Sequence, residues 1–230
     1  MTRWVGRALG LLVLLALVFF PVVRWGSGSD ASPDSASISD YRGDFVVAKD
    51  GRLAVTETLV VTFPDYKHGI FRFFDLEDPQ DSRARLAPHD ITVTRDGQPE
   101  QFEVLKEGRG RYRNVKIGSA STTLTGSHTY VIGYSIEHSL SRGDDDHAQF
   151  YWNLVPGGWR MPITRSQLTV HLPADHDDVE CNVGAGKSGG CEAQDVGDGF
   201  VVTTGSLAPN TPVTVRTQLD LPVPERARAP

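Results

Sequence analysis

Apolar and polar residues alternate along most of the chain beyond residue 40, and this two-residue period is typical of β-strands with one buried face. The clearest example runs from Arg52 to Phe63, where odd-numbered positions carry most of the large apolar side chains and even-numbered positions carry three threonines. The dipeptide Asp50-Gly51 precedes this run and is a hairpin signal, so we expect it to join residues 44–48 to the run.

Other strand-like runs follow at short spacing, separated by turn signals such as Asp96-Gly97 and Asp198-Gly199. They lie at 91–94, 102–105, 112–117, 129–137, 149–154, 167–172, 199–204 and 212–219. No long window beyond the N-terminal segment repeats apolar residues at helical spacing. We therefore predict an all-β domain over residues 40–221, an antiparallel β-sandwich of immunoglobulin-like or related type with about ten strands.

Residues 1–25 have a different composition. Arg3 and Arg7 precede an uninterrupted apolar stretch from Ala8 to Val23. This pattern is typical of a signal peptide or a transmembrane helix and not of a core helix, which would show a polar face to water. The stretch from Val5 to Trp25 approaches the length of roughly 20 residues that spans a bilayer, which favours an uncleaved anchor.

The two N-terminal arginines would keep the N-terminus inside and place the rest of the chain on the extracytoplasmic face of the cell membrane. Small residues at 26–31 and 35–37 leave cleavage open, in which case the protein is secreted. Residues 26–39 are rich in Gly, Ser and Asp and predict a flexible linker. Residues 222–230 predict a Pro-rich tail.

Cys181 and Cys191 are the two cysteines of the chain. In an oxidising compartment, a lone pair separated by a short Gly-rich loop predicts a disulfide, and a zinc site would need more ligands than this pair.

The whole chain has a formal net charge of −6, and residues 1–30 contribute more basic than acidic groups. The exported part is therefore acidic, which argues against binding to nucleic acid. Its main basic cluster fits the solvated face of a hairpin and consists of Lys106, Arg109, Arg111, Arg113 and Lys116.

Several patterns that suggest chemistry fail on inspection. The Gly-rich run at 184–188 lacks the spacing, strand and helix of a phosphate loop. The acidic runs at 144–147 and 171–178 lack EF-hand spacing and are more typical of solvated loops than of metal sites. The chain has no G-x-S-x-G elbow. We therefore predict no catalytic residue, no metal and no cofactor, and a protein that is not an enzyme.

Two segments carry residue types that need a core or a ligand to satisfy them. One is H-G-I-F-R at 68–72, and the other is the aromatic segment 150–163. Its aromatic side chains with polar tips suit a sandwich core, which is the commoner environment, or a ligand-facing groove.

Together with V-T-E at 55–57 and the cysteine pair, these segments make the chain resemble the DUF2207 family of predicted membrane proteins over residues 41–221. The resemblance rests on H-G-I-F-R, on Y-W-N at 151–153 and on W-x-x-P-I at 159–163. It implies an extracytoplasmic β domain, normally followed by transmembrane helices, and it brings no established activity. Because no such helices follow here, we expect a fragment of a longer protein or a member whose anchor is N-terminal.

We therefore hypothesise a binding or protein-interaction module of the cell envelope, held by the membrane and recognising a protein or envelope ligand. The residues that we expect to bind are His68, Arg72, Tyr151, Trp152 and Trp159, since the first two donate hydrogen bonds and the aromatics supply stacking area. The alternatives are an envelope hydrolase acting on peptide or glycan, and a purely structural ectodomain of a larger membrane assembly.

Overall fold

The computed structural model describes residues 34–78 and 85–225, which belong to the unit that begins at Pro33. The predicted N-terminal signal or anchor, most of the linker and the last five residues of the tail lie outside this range. The described residues form fifteen strands and two short 3-10 turns, Gly108–Gly110 and Asp144–Asp146. The strands are β1 (Ser37–Val47), β2 (Leu53–Lys67), β3 (Ile70–Asp75), β4 (Pro88–Arg95), β5 (Gln98–Pro99), β6 (Phe102–Glu107), β7 (Tyr112–Ile117), β8 (Leu124–Ile136), β9 (Leu140–Arg142), β10 (His147–Val155), β11 (Ser166–His171), β12 (Glu180–Val183), β13 (Ala193–Asp195), β14 (Gly199–Thr204) and β15 (Val213–Pro222).

The strands form three sheets in a sandwich-like, open arrangement, as the all-β prediction requires. One has eight strands in the order β13-β14-β11-β1-β2-β8-β4-β5, the second has four in the order β12-β15-β10-β9, and the third has three in the order β3-β7-β6. All named pairs are antiparallel except β1 with β11, which run parallel from Tyr41 opposite Ser166. No helix in the described part of the chain is long and apolar enough to cross a membrane.

The alternation in β2 produces its buried face. Leu53, Val55, Leu59 and Val61 are almost completely buried, and they belong to one apolar cluster with residues of all three sheets. Gly51 adopts a positive φ of 83° in the turn before β2, which a glycine tolerates without strain. The inward row of β2 also contains Glu57, which is fully buried, so a charged group lies in the middle of the core face.

The predicted linker was wrong at its C-terminal end. β1 begins at Ser37, and the flanking Ala36 and Ile38 are buried. The main chain of Asp34 already donates a hydrogen bond to the carbonyl of Arg160. The composition of this stretch is that of a spacer, but Ile38 pairs with Val61 of β2 and adds apolar contact to the sheet. At the other end, β15 extends to Pro222, the first residue of the predicted tail.

The cysteine prediction is confirmed, since Cys181 and Cys191 form a disulfide with a Cα–Cα distance of 5.4 Å. The bond closes the loop that holds the Gly-rich run at 184–188. The five residues of the basic cluster lie on the β6–β7 hairpin or its turn, where each is exposed or half-buried.

Candidate binding cleft

A buried ion pair joins the centre of β2 to β3. The Arg72 guanidinium donates from Nη2 to Oε1 of Glu57 at 2.7 Å and from Nε to Oε2 at 2.8 Å, a two-pronged geometry. The Tyr134 hydroxyl donates to the same Oε1 at 2.8 Å and accepts from Nη2 of Arg72 at 3.0 Å. Both charged side chains are at most 5 % exposed. Three residues from β2, β3 and β8 thus form one closed polar network in the core.

Burial and charge act in opposite directions on this network. Burial is the largest single influence and lowers the pKa of Arg72, but the charge and hydrogen bonds of Glu57, together with the neighbouring tyrosines, outweigh it, so the pKa is raised above its ordinary value. Burial, followed by the charge of Glu57, also raises the pKa of Tyr134. The arginine therefore stays charged and the phenol stays neutral throughout the physiological pH range.

Aromatic rings surround the guanidinium. Its central carbon lies 4.0 Å from the ring centroid of Phe74, 5.6 Å from that of Tyr134 and 5.8 Å from that of Trp159, within the range of cation–π attraction. Trp159 contacts Tyr41 edge to face, with 6.4 Å between centroids. The indole N–H of Trp159 and the hydroxyl of Tyr41 are buried and have no hydrogen-bond partner among the described residues.

An open cleft of about 720 Å³ lies over this network, bounded by β3, β7, β8, β10 and the loop at 156–158. Its lining includes Arg72, Phe73, Tyr112, Tyr134, Tyr151 and Trp152. Phe73 and Tyr112 are half-buried and stack at a tilt, with 4.9 Å between ring centroids. Tyr151 is 38 % exposed, a large aromatic surface left in contact with water. We call this feature the aromatic cleft.

The rim of the aromatic cleft carries charges that are already paired. Arg111 donates to both carboxylate oxygens of Asp75, at 3.1 and 2.8 Å, and its Nη1 lies 2.8 Å from Glu77. The hydrogen bonds of Asp75, together with the charges of Asp75 and Glu77, outweigh the effect of burial and raise the pKa of Arg111. One guanidinium thus faces two carboxylates at this edge.

Three of the five residues predicted to bind line the aromatic cleft: Arg72, Tyr151 and Trp152. Trp159 is only 3 % exposed. Its ring lies in the core, 5.8 Å from the Arg72 guanidinium carbon. It is therefore not available to a ligand in this structure. The five residues do not share one groove.

His68 lies elsewhere, exposed in the turn between β2 and β3. Its Nδ1 donates to the carbonyl oxygen of Thr122 at 2.9 Å, and it borders a separate hollow of about 270 Å³. Gly69 explains the motif next to it. This glycine has a φ of 139°, and a Cβ at this position would overlap the carbonyl oxygen of Ile117 on β7. The motif therefore lets β3 approach β7 and directs Arg72 inward.

Sequence reasoning missed Glu57 and Tyr134, which hold Arg72, and Phe73 and Tyr112, which form the aromatic pair. A signal for Glu57 was present, because it is the one charged residue in the apolar row of β2. Within residues 34–78 and 85–225, no group of three or more His, Cys, Asp or Glu suited to a metal ion occurs.

The fold and the cleft define the class, which is an all-β domain of open sheets with an aromatic surface hollow. Residues 37–219 match the family model described as "Predicted membrane protein (DUF2207) N-terminal domain". Because the match covers most of the chain, the chain belongs to this family of predicted membrane proteins. Among curated proteins, none matches the chain.

Several solved structures are similar to the chain at low identity. Native yeast LTA4 hydrolase is 11% identical with a TM-score of 0.47, and the match covers 80% of this chain and 29% of that protein. An M1 zinc metallopeptidase from Deinococcus radiodurans is 15% identical with a TM-score of 0.43, covering 80% and 42%. A putative protease from Parabacteroides distasonis is 9% identical with a TM-score of 0.43, covering 80% and 40%. The chain spans less than half the length of these proteins, and their activities are not carried over to it.

Proposed function

We propose that this domain is a ligand-binding module of the cell envelope and that its ligand occupies the aromatic cleft. The observation that carries the proposal is the exposure of Tyr151 beside the half-buried Trp152, Phe73 and Tyr112. Concave sites lined by aromatic side chains with a few fixed polar groups are the usual form of a ligand site. The exposed rings provide large contact area at little cost in side-chain entropy.

The floor of the cleft supports the same proposal. A binding surface needs side chains that do not rearrange when the ligand arrives, and Arg72 of β3 is fixed by two hydrogen bonds to Glu57 and one to the Tyr134 hydroxyl. The aromatic walls therefore stand on rigid strands, so less ordering free energy is lost on binding.

The proposed location is the extracytoplasmic face of the cell membrane. Membership in a family of predicted membrane proteins and the apolar run Ala8–Val23 favour attachment to a membrane. Arg3 and Arg7 favour an inside N-terminus. The disulfide between Cys181 and Cys191 favours an oxidising compartment for the domain.

The test is a binding screen of the full chain in mild detergent against a defined panel of nine-residue peptide pools, chitin oligosaccharides and muropeptides. Amide chemical shifts report where each probe binds. We expect at least one class to shift resonances of Tyr151 and Trp152, and Tyr151→Ala to weaken that binding at least tenfold.

Tyr66→Ala is the matched control, because Tyr66 is 77 % exposed and does not line the cleft. It should leave the affinity unchanged within a factor of two. Binding that survives Tyr151→Ala undiminished, or no binding by any class at millimolar concentration, would refute the proposal and leave a structural ectodomain as the better interpretation.

A further inference from the structure

One side of β10 has no paired strand at the cleft within residues 34–78 and 85–225. β15 pairs with β10 along its whole length, but β9 pairs only with residues 148–150. β9 stops there because the next residue back along it, Ser139, donates both its main-chain N–H and its hydroxyl to the carbonyl of Gly51, at 2.8 and 3.0 Å. Among the described residues, no strand continues the ladder opposite Tyr151 and Asn153.

The direction of the hydrogen bonds identifies the groups left open. Gly143 donates its main-chain N–H to the carbonyl of His147 at 2.8 Å, so the main-chain polar groups of His147 point toward β9. In an antiparallel ladder every second residue points the same way, which assigns the main chains of Tyr151 and Asn153 to this side. The Asn153 side chain is held in the sheet by the Thr214 hydroxyl at 2.6 Å.

These open main-chain groups border the aromatic cleft, since Tyr151, Trp152 and Asn153 all line it. Phe73 and Tyr112 line the same cleft from β3 and β7. An added strand at this edge would project alternate side chains in opposite directions, and one set would face the aromatic pair. The geometry thus offers main-chain pairing and a side-chain pocket in one place.

The charges at the cleft restrict the sequence of such a strand. Glu57 neutralises the charge of Arg72, and at the rim Arg111 faces both Asp75 and Glu77. Among the described residues that line the cleft, the two rim carboxylates outnumber the one rim cation, and this arrangement favours a cationic side chain over an acidic one.

We propose that an extended segment of a partner protein adds to the open edge of β10 at Tyr151–Asn153. The segment has an apolar or aromatic residue that packs in the cleft against the Phe73–Tyr112 pair, and a Lys or Arg nearby that faces Asp75 and Glu77. This inference rests on the proposed function and specifies its ligand as a peptide recognised through its main chain.

The experiment uses the full chain in mild detergent and nine-residue peptides with a central Phe or Leu, flanked by Lys or by Asp. The tightest peptide is then prepared with a single N-methyl group at each successive position, which removes one main-chain donor while the protein stays unchanged. We expect binding to weaken tenfold or more at alternate positions and less than threefold at the others. The Asp-flanked peptides should bind at least fivefold more weakly than the Lys-flanked peptides.

Hydrogen exchange provides a second measurement. The amide protons of Tyr151 and Asn153 should exchange at least tenfold more slowly when the peptide is bound. Peptide binding that is not weakened by N-methylation at any position and does not slow exchange of the Tyr151 and Asn153 amides overturns this inference, yet the cleft remains a binding site. If only chitin oligosaccharides or muropeptides bind and no peptide does, this inference is likewise overturned while the cleft remains a binding site. Failure of every probe overturns the proposed function together with this inference.

Discussion

Replacing Arg72 with Met should remove a large part of the stability of this domain. The substitution leaves the Glu57 carboxylate 1 % exposed and without its cation, so the Tyr134 hydroxyl becomes its remaining hydrogen-bond donor among the contacts described above. Loss of one partner from a buried ion pair costs about 3 to 5 kcal/mol, because the other charge stays desolvated. Small proteins unfold with about 5 to 15 kcal/mol in total, so the variant should lose roughly a fifth or more of its stability.

Urea denaturation of the full chain in mild detergent, followed by tryptophan fluorescence, measures this change. With a urea slope of about 1 to 3 kcal/mol per molar, the midpoint should fall by roughly 1 to 5 M. Glu57→Gln should cost a similar amount, because it leaves the guanidinium of Arg72 unpaired. The double variant removes both charges and should be several kcal/mol more stable than the sum of the single losses requires.

Arg142→Met is the matched control. Arg142 pairs with Asp146 on the surface, where both side chains are largely exposed, and such pairs contribute at most about 1 kcal/mol. Additive losses in the double variant, or a loss from Arg72→Met no larger than that of the control, would show that the buried charges do not compensate each other.

Three further predictions concern other features. Gly69→Ala should destabilise the domain by at least about 2 kcal/mol in the same assay, because its methyl group would overlap the Ile117 carbonyl, whereas Gly205→Ala, in open space, should not. Replacing both Cys181 and Cys191 with Ser should cost about 2 to 3 kcal/mol, because the unfolded chain gains the freedom of a loop with a sequence separation of 10. Asp96→Asn should lower the urea midpoint at pH 7 but not at pH 2.

The pH dependence of the last variant follows from its hydrogen bonds. His128 and then the main-chain N–H of Thr129 donate to Asp96 and hold its pKa below the ordinary value. A carboxyl whose folded pKa is lowered stabilises the fold above its unfolded pKa of about 3.9, and this stabilisation disappears as the pH falls through the folded pKa. A constant difference between variant and parent from pH 7 to pH 2 would contradict this assignment. The disulfide itself is checked in the parent protein: alkylation of either cysteine in the native, unreduced state would contradict it.

Long strands were predictable because their alternation extends over many residues. The inward row of β2 follows directly from the pattern of residues 52–63, and β8, β10 and β15 were recognised in the same way. β5, β9, β12 and β13 have only two to four residues, which is too short for a period to appear. These short strands form because their main chains hydrogen-bond to a neighbouring strand, and which strands become neighbours is decided by the tertiary fold and not by the local sequence.

The candidate site was predictable in part. Tyr151 and Trp152 were selected for aromatic area, and both line the cleft, but the same argument selected Trp159, which is core. A local pattern does not distinguish an aromatic side chain of the core from one in a groove. Arg72 was interpreted as a donor to a ligand, whereas its acceptor is Glu57, 15 positions away on β2, a strand of a different sheet. Only the fold brings those two residues together.

The central position of β1 has a consequence for how the chain matures. β1 can pair with β2 at once, but its parallel neighbour β11 begins only at Ser166. The residue just before that strand, Arg165, lies 125 positions after its hydrogen-bond partner Asp40. At about 5 to 20 residues per second, roughly 6 to 25 s of synthesis separate the two strands. During that interval one edge of β1 remains open beside the apolar side chains of Tyr41 and Phe45. The sheet is therefore completed only when β11 pairs with β1. Before that pairing, the open edge of β1 is where a chaperone would bind the nascent domain or aggregation would begin.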